Sequence, residues 1–314
     1  MRVVVTGALG YVGSQLIRSR WPATVDELIL IDNLSTQQPT TLFDAVPQCP
    51  MRVVEADVRR LDLQRLLQPR DVVIHLAAIA GVEADTYTAA DLADVNVRGT
   101  RRVAEACAAS GARLVFLSST SVYGGYDGAV DETTALEAHP PTYAYAISKW
   151  QAEQEIEAIG AERLDYVVLR CGTIYGPSPA SRFHTAISRF CWQATIGAPL
   201  SVWTTAIDQR RPYLDLDDAV RAIQFLMVPR RYHLYNAVTE TATVREVVAI
   251  LSDLVPGVTI EHVDSPAMTA RSQDVAAARL ADEGFACEGG LRRAISRLLA
   301  RLRGLRDAAV IEAR

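Results

Sequence analysis

Apolar runs of strand length alternate with stretches whose apolar positions recur at helical spacing, and this alternation organises the first half of the chain. Residues 2–6 read as a short, Val-rich buried strand and 28–31 as a second apolar one, and strand signals recur at 52–55, 72–76 and 113–117. Helical patterns lie between them, the longest near 89–109 and 143–158. Such alternation predicts an α/β fold built on a parallel, doubly wound sheet. Beyond Arg170 the pattern changes, with a helix expected over 183–194 and a strand over 200–203. The expected organisation is a first domain at 1–172, to which part of 213–238 returns, and a smaller α/β domain at 173–314. No internal repeat or low-complexity tract interrupts it.

The first strand runs straight into Gly7-Ala-Leu-Gly10-Tyr11-Val12-Gly13 and then a helical pattern. Glycines there let the backbone turn tightly and approach a pyrophosphate, whose charge amides at the helix N-terminus, those of Tyr11 and Val12 included, can hold. The second strand ends in Asp32, at the spacing from the glycines where a carboxylate accepts both hydroxyls of an adenosine ribose. Asp32 would repel a 2′-phosphate. The following Asn33-Leu34-Ser35-Thr36 offers Asn33 and Ser35 to the cofactor but no arginine, so NAD is expected rather than NADP. Asp57 and Val58 after the third strand, and Leu76, Ala77 and Ala78 after the fourth, lie at carboxyl ends of strands, where an open sheet binds its ligand.

One lysine, Lys149, occurs among the 32 Lys and Arg residues, and it follows Tyr145 by four positions. On a helix that spacing puts both side chains on one face, a turn apart. Bringing a phenol from a pKa of about 10 to near 7 takes roughly 4 kcal/mol. One cation about 4 Å away, at an effective dielectric of about 20, supplies about that much. The fifth strand ends in Ser118-Ser119-Thr120-Ser121, where a hydroxyl faces the same cleft and can bond a substrate oxygen. Spacing alone does not choose among the four.

The motifs T-G-A-L-G-Y-V-G, D-N-L-S, A-D-V, H-L-A-A, N-V-R-G-T, S-S-T-S-V-Y-G, Y-A-Y-A-I-S-K and Y-G-P follow one another along nearly the whole chain. In this the sequence resembles the extended short-chain dehydrogenase/reductases, nearest to the nucleotide-sugar 4-epimerases. The resemblance implies a Rossmann domain holding NAD, a carboxyl-terminal domain covering a nucleotide-diphosphate sugar, and a triad of Ser119, Tyr145 and Lys149. It also implies substrate contacts from Thr120, from Thr173, which stands where the family usually has asparagine, and from Arg211 as a diphosphate clamp. Asp215 replaces a customary histidine. A homodimer through the two long helices is a further expectation. Sister 4,6-dehydratases carry an Asp-Glu pair after the catalytic hydroxyl, and here that place holds Thr120-Ser121. Net sugar oxidation, dehydration and, more distantly, a non-catalytic dinucleotide sensor remain as alternatives.

Composition narrows the classes further. A net charge of −5 argues against a nucleic-acid partner, although residues 291–314 hold seven arginines on a helical pattern. Five scattered cysteines form no pair spacing, and five histidines form no metal spacing, so reduced thiols, a cytoplasmic setting and no metal are expected. No leader or membrane-length apolar run is read. Arg182, His184 and Trp203 are candidates to line the sugar pocket.

Overall fold

The computed structural model describes residues 1–306 apart from 37, 38, 44, 81–85, 182, 184 and 265–272, so Arg182, His184 and Arg271 lie outside the described residues. From the start of the chain, β1 (Arg2–Thr6), α1 (Tyr11–Arg18), β2 (Glu27–Asp32), β3 (Met51–Glu55), α2 (Leu63–Leu66) and β4 (Val72–His75) succeed one another. Then come α3 (Ala89–Leu92), a π-helical stretch at Ala93–Arg98, α4 (Gly99–Ser110), β5 (Arg113–Ser119), β6 (Gly128–Val130) and α5 (Ala144–Ile159). The middle of the chain supplies β7 (Tyr166–Cys171), β8 (Thr173–Tyr175), α6 (Ala186–Ile196), β9 (Leu200–Trp203), β10 (Arg211–Asp215), α7 (Leu216–Phe225) and β11 (Leu234–Ala237). The described elements end with β12 (Glu240–Ala242), α8 (Val244–Leu254), β13 (Ile260–Val263), β14 (Gln273–Val275), α9 (Ala278–Asp282) and α10 (Leu291–Arg306).

Seven strands form one parallel sheet in the order β11-β7-β5-β4-β1-β2-β3. Val3, Val4 and Val5 are 0% exposed, which requires cover on both faces and explains the unbroken apolar run. Val3 and Val5 pack with Leu16 and Ile17 of α1 and Val220 and Ile223 of α7. Val4 packs on the other side with Val103 and Cys107 of α4 and Ala152 and Ile156 of α5. Each such aliphatic side chain contributes about 1.5–3 kcal/mol on leaving water. The order reverses between β1 and β4, so helices leave to opposite faces there and a crevice opens beyond the strands' carboxyl ends.

A separate cluster gathers Phe190 and Cys191 of α6, Leu200 and Val202 of β9, Leu251 of α8, and Ile295 and Leu298 of α10. The chain leaves it by β10, which sits between β12 and β8, and returns through α7 to the first cluster before β11 completes the large sheet. Two serines and a tyrosine tie the two regions together. Tyr11 Oη donates to Gly176 O at 2.6 Å, Ser178 Oγ donates to Tyr11 O at 2.8 Å, and the hydroxyls of Ser14 and Ser178 are 2.9 Å apart.

Three elements differ from the pattern read in the sequence. The helix expected over 89–109 is wound as a π-helix for the six residues after its first turn, Ala93–Arg98. There the buried Asn96 receives Ile79 N at 2.8 Å and donates to Ile79 O at 3.0 Å, a tie that apolar periodicity does not register. The strand expected over 113–117 runs on to Ser119, and the helix expected from 183 begins at Ala186.

Candidate active site

Between β1 and the first turn of α1 the chain admits only glycine at two positions. Gly7 has φ of 65°, and a Cβ there would lie 2.6 Å from Ala77 N; on Gly13 it would lie 2.4 Å from Ala8 O. Gly10 is the N-cap of α1, whose first-turn amides lack helical acceptors and face the crevice as an anion cradle. At the end of β2 the Asp32 carboxylate accepts Leu9 N and Leu34 N, both at 2.9 Å. Those bonds fix its orientation and leave lone pairs for a diol. Asn33 and Ser35 form a tight turn, Ser35 N donating to Asn33 Oδ1 at 3.1 Å.

Asp57 is bracketed by Arg59, whose hydrogen bonds and charge hold its carboxyl down at about 2, with a further bond from Asn33. Val58 is buried beside it. Leu76 N donates to Thr6 O at 3.0 Å and Ala77 N to Thr6 Oγ1 at 3.3 Å, which seats that strand end against the glycine turn. Ala78 follows, half-buried. Gly7 and Ala77 thus lie together at the carboxyl ends of β1 and β4, with Asp32 bonded to Leu9 N of the same turn, and the glycine cradle, the uncapped helix N-terminus and the oriented carboxylate fit a dinucleotide.

Ser119 is the last residue of β5 and its Oγ accepts Ser121 N at 3.2 Å. Thr120 is buried in the following turn, where Ser121 Oγ has no hydrogen-bond partner among the described residues. Tyr145 and Lys149 occupy successive turns of α5. Ser148 Oγ donates to Tyr145 O at 2.8 Å and receives Asn96 Nδ2 at 3.0 Å, so the π-helical stretch braces this turn.

Lys149 is 3% exposed, with Nζ 4.2 Å from the centroid of the Phe116 ring on β5. Burial pushes its ammonium down to about 8, against the attraction of Glu153 and Cys171. His75 lies nearby, its ring nitrogens 2.6 Å from Thr6 Oγ1 and 3.1 Å from Thr100 Oγ1. Burial first, and the Lys149 charge second, lower it to about 3, so it is neutral at physiological pH.

Of the residues assigned to the substrate, Thr173 lies on β8 and Arg211 on the neighbouring strand β10, while Thr120 follows β5. Thr173 is exposed and lies in register with Tyr213. Arg211, two positions before it on β10, donates from Nη2 to Gln209 Oε1 at 2.6 Å. Burial lowers the pKa of Arg211, opposed by the Tyr213 and Tyr143 phenols, which places it near the segment leading into α5. Trp203 stacks instead with Arg189, 5.7 Å from the guanidinium to the ring.

Spacing did not point to Phe116, Asn96 or a buried network around Glu153. Arg170 Nε meets both Glu153 carboxylate oxygens at 3.1 Å and Nη2 donates to Oε2 at 2.6 Å, while Ser118 Oγ donates to Oε1. Arg170 Nη1 also donates to Tyr123 Oη at 2.9 Å, and that hydroxyl donates to Asn236 Oδ1 at 3.0 Å. The available signal was a charged residue inside the apolar run of β7.

Residues 3–237 match the family model described as the NAD dependent epimerase/dehydratase family. An uncharacterised UDP-glucose epimerase, YtcB, of Bacillus subtilis strain 168 is 29% identical over 274 residues, 81% of this chain and 82% of that one. The solved structure of MoeE5 with UDP-glucuronic acid and NAD superposes with a TM-score of 0.81 at 27% identity, covering 97% of this chain and 100% of that one. DesIV, a dTDP-glucose 4,6-dehydratase from Streptomyces venezuelae solved with NAD, gives 0.85 at 26% identity over 98% of each chain.

Proposed function

Because the chain belongs to the NAD-dependent epimerase/dehydratase family, we propose that it epimerises a nucleotide-diphosphate sugar at C4 through a transient 4-keto sugar, with NAD as a tightly held cofactor. The observation that carries this reading is a buried ammonium one helical turn from Tyr145, beside a loop with hydroxyls at Thr120 and Ser121 and no carboxylate. An acid in that loop is what water elimination would require. The dehydratase alternative, raised by DesIV, therefore lacks its proton donor here.

Bound in the glycine cradle, NAD supplies a reversible acceptor for the hydrogen at C4. The chain's own residues do the rest. The Lys149 charge favours the phenolate of Tyr145, which takes the proton from the sugar O4, and Ser119 orients that oxygen by hydrogen bonding. Arg211 and Thr173 bind the diphosphate, holding the nucleotide while the keto sugar turns over in its pocket. The same groups then run in reverse on the other face, Tyr145 returning the proton. One acid/base therefore serves both directions.

All five cysteines are unpaired, which suits a reducing, cytoplasmic setting. No described helix is long and apolar enough to cross a membrane. We further place a homodimer contact on the outer faces of α4 and α5, where Arg101 bridges Glu105 and Glu155 around a shallow groove; light scattering after size exclusion reads it directly. The function itself is tested by incubating the purified protein with a panel of nucleotide sugars and no added cofactor. Interconversion of C4 epimers, lost in Tyr145→Phe, is expected; stoichiometric build-up of NADH would instead mean net oxidation.

A further inference from the structure

Glu153 stands four residues after Lys149 and eight after Tyr145, on the same face of α5. At that spacing a glutamate and a lysine ordinarily pair. Here no carboxylate among the described residues forms an ion pair with Lys149, which instead lies over Phe116. The Glu153 carboxylate is occupied: Arg170 grips both oxygens, Ser118 adds a donor, and the pair is only 6% and 3% exposed. Arg170 is itself fixed, by its bond to Tyr123 and by lying 4.9 Å from that ring's centroid.

We propose that Arg170 is a positioning residue for catalysis: by holding Glu153 across the β7–α5 contact, it keeps that carboxylate out of an ion pair with Lys149, so that the lysine's charge acts on Tyr145. The inference rests on the reading of Tyr145 as the base. Groups facing Lys149 from the other packed elements do not substitute for this control. His75 on β4 is neutral, and Cys171 on β7 is a buried thiol pushed up to about 12. Glu153 is the one carboxylate that α5 itself brings within reach of Lys149, and Arg170 decides where it points. Without Arg170, a buried Glu153 finds its nearest cation in Lys149, and the phenolate loses part of its support.

The test follows Tyr145 by tyrosinate absorbance, as the difference between each protein and its Tyr145→Phe counterpart, together with the acid limb of kcat/KM. R170M should raise the Tyr145 midpoint by about one pH unit and lower kcat/KM at neutral pH about tenfold. E153Q/R170M, which removes both charges, should bring midpoint and rate back towards wild type, and R170K should stay near it. A wild-type midpoint in R170M, or no recovery in the double variant, overturns the proposal, because a purely structural role would cost stability without moving the titration. If R170M does not fold, R170Q, which keeps a donor for Glu153 but no charge, must show the same upward shift, and an unshifted midpoint there also overturns it. If no nucleotide sugar turns over in any variant the proposed function fails, while the absorbance titration still decides the role of Arg170.

Discussion

Replacing Lys149 by methionine should make the folded protein more stable and the enzyme worse. The side chain is 3% exposed, and folding takes its ammonium from 10.5 to about 8. Below about pH 8 both folded and unfolded chains carry the proton, and the folded state bears the whole cost of the buried charge, about 3 kcal/mol. Between about 8 and 10.5 the unfolded chain keeps a proton that the folded chain releases, so stability rises with pH across that window. Methionine has a similar length, packs against Phe116 and carries no charge. Urea unfolding of the cofactor-free proteins should therefore find Lys149→Met more stable at pH 7 by up to about 3 kcal/mol, the gap closing by about pH 10.5. Because Lys149 also shifts the Tyr145 phenol, the comparison is made between Tyr145→Phe and Tyr145→Phe/Lys149→Met, where His75 at about 3 and Cys171 at about 12 titrate outside the window. Turnover should move the other way: losing a cation about 5 Å from the phenol, at an effective dielectric of about 20, removes about 3 kcal/mol of phenolate stabilisation, roughly a hundredfold at pH 7. Equal stabilities at pH 7, or a gap that stays constant to pH 10, would refute the electrostatic account of this site.

Other substitutions test separate parts of the crevice. Gly13→Ala should expel the dinucleotide, since its methyl would meet Ala8 O at 2.4 Å; cofactor released from heat-denatured protein should fall at least about tenfold. Asp32→Asn loses the charge and keeps an acceptor for only one of Leu9 N and Leu34 N, so calorimetry should show NAD binding weakened by about 1.5–3 kcal/mol, with discrimination against NADP reduced. Arg211→Ala should raise KM for the nucleotide sugar by about tenfold or more while kcat changes little, because a diphosphate contact acts equally in ground and transition states.

What the sequence disclosed and what it hid divide along physical lines. The large sheet was legible because Val3, Val4 and Val5 are buried on both faces, and burial of that kind writes itself as a continuous apolar run. The glycine turn was legible because Gly7 and Gly13 are sterically obligatory, and Tyr145 with Lys149 because helical spacing is local. The surroundings of Lys149 were not, since Phe116 and Arg170 reach it or its neighbour across strands, through contacts that spacing along the chain does not encode. The π-helical winding at Asn96 was equally silent, because one buried amide carries it and apolar periodicity continues through it.

The solitary ε-amine has a practical corollary. With every other cationic side chain but the histidines a guanidinium, lysine-directed acylating reagents meet a single side-chain target in the folded enzyme, and that target is 3% exposed and lies over Phe116. Acylation of this side chain therefore reports opening of the fold around it, with no surface lysines to blur the count once the α-amine of Met1 is blocked.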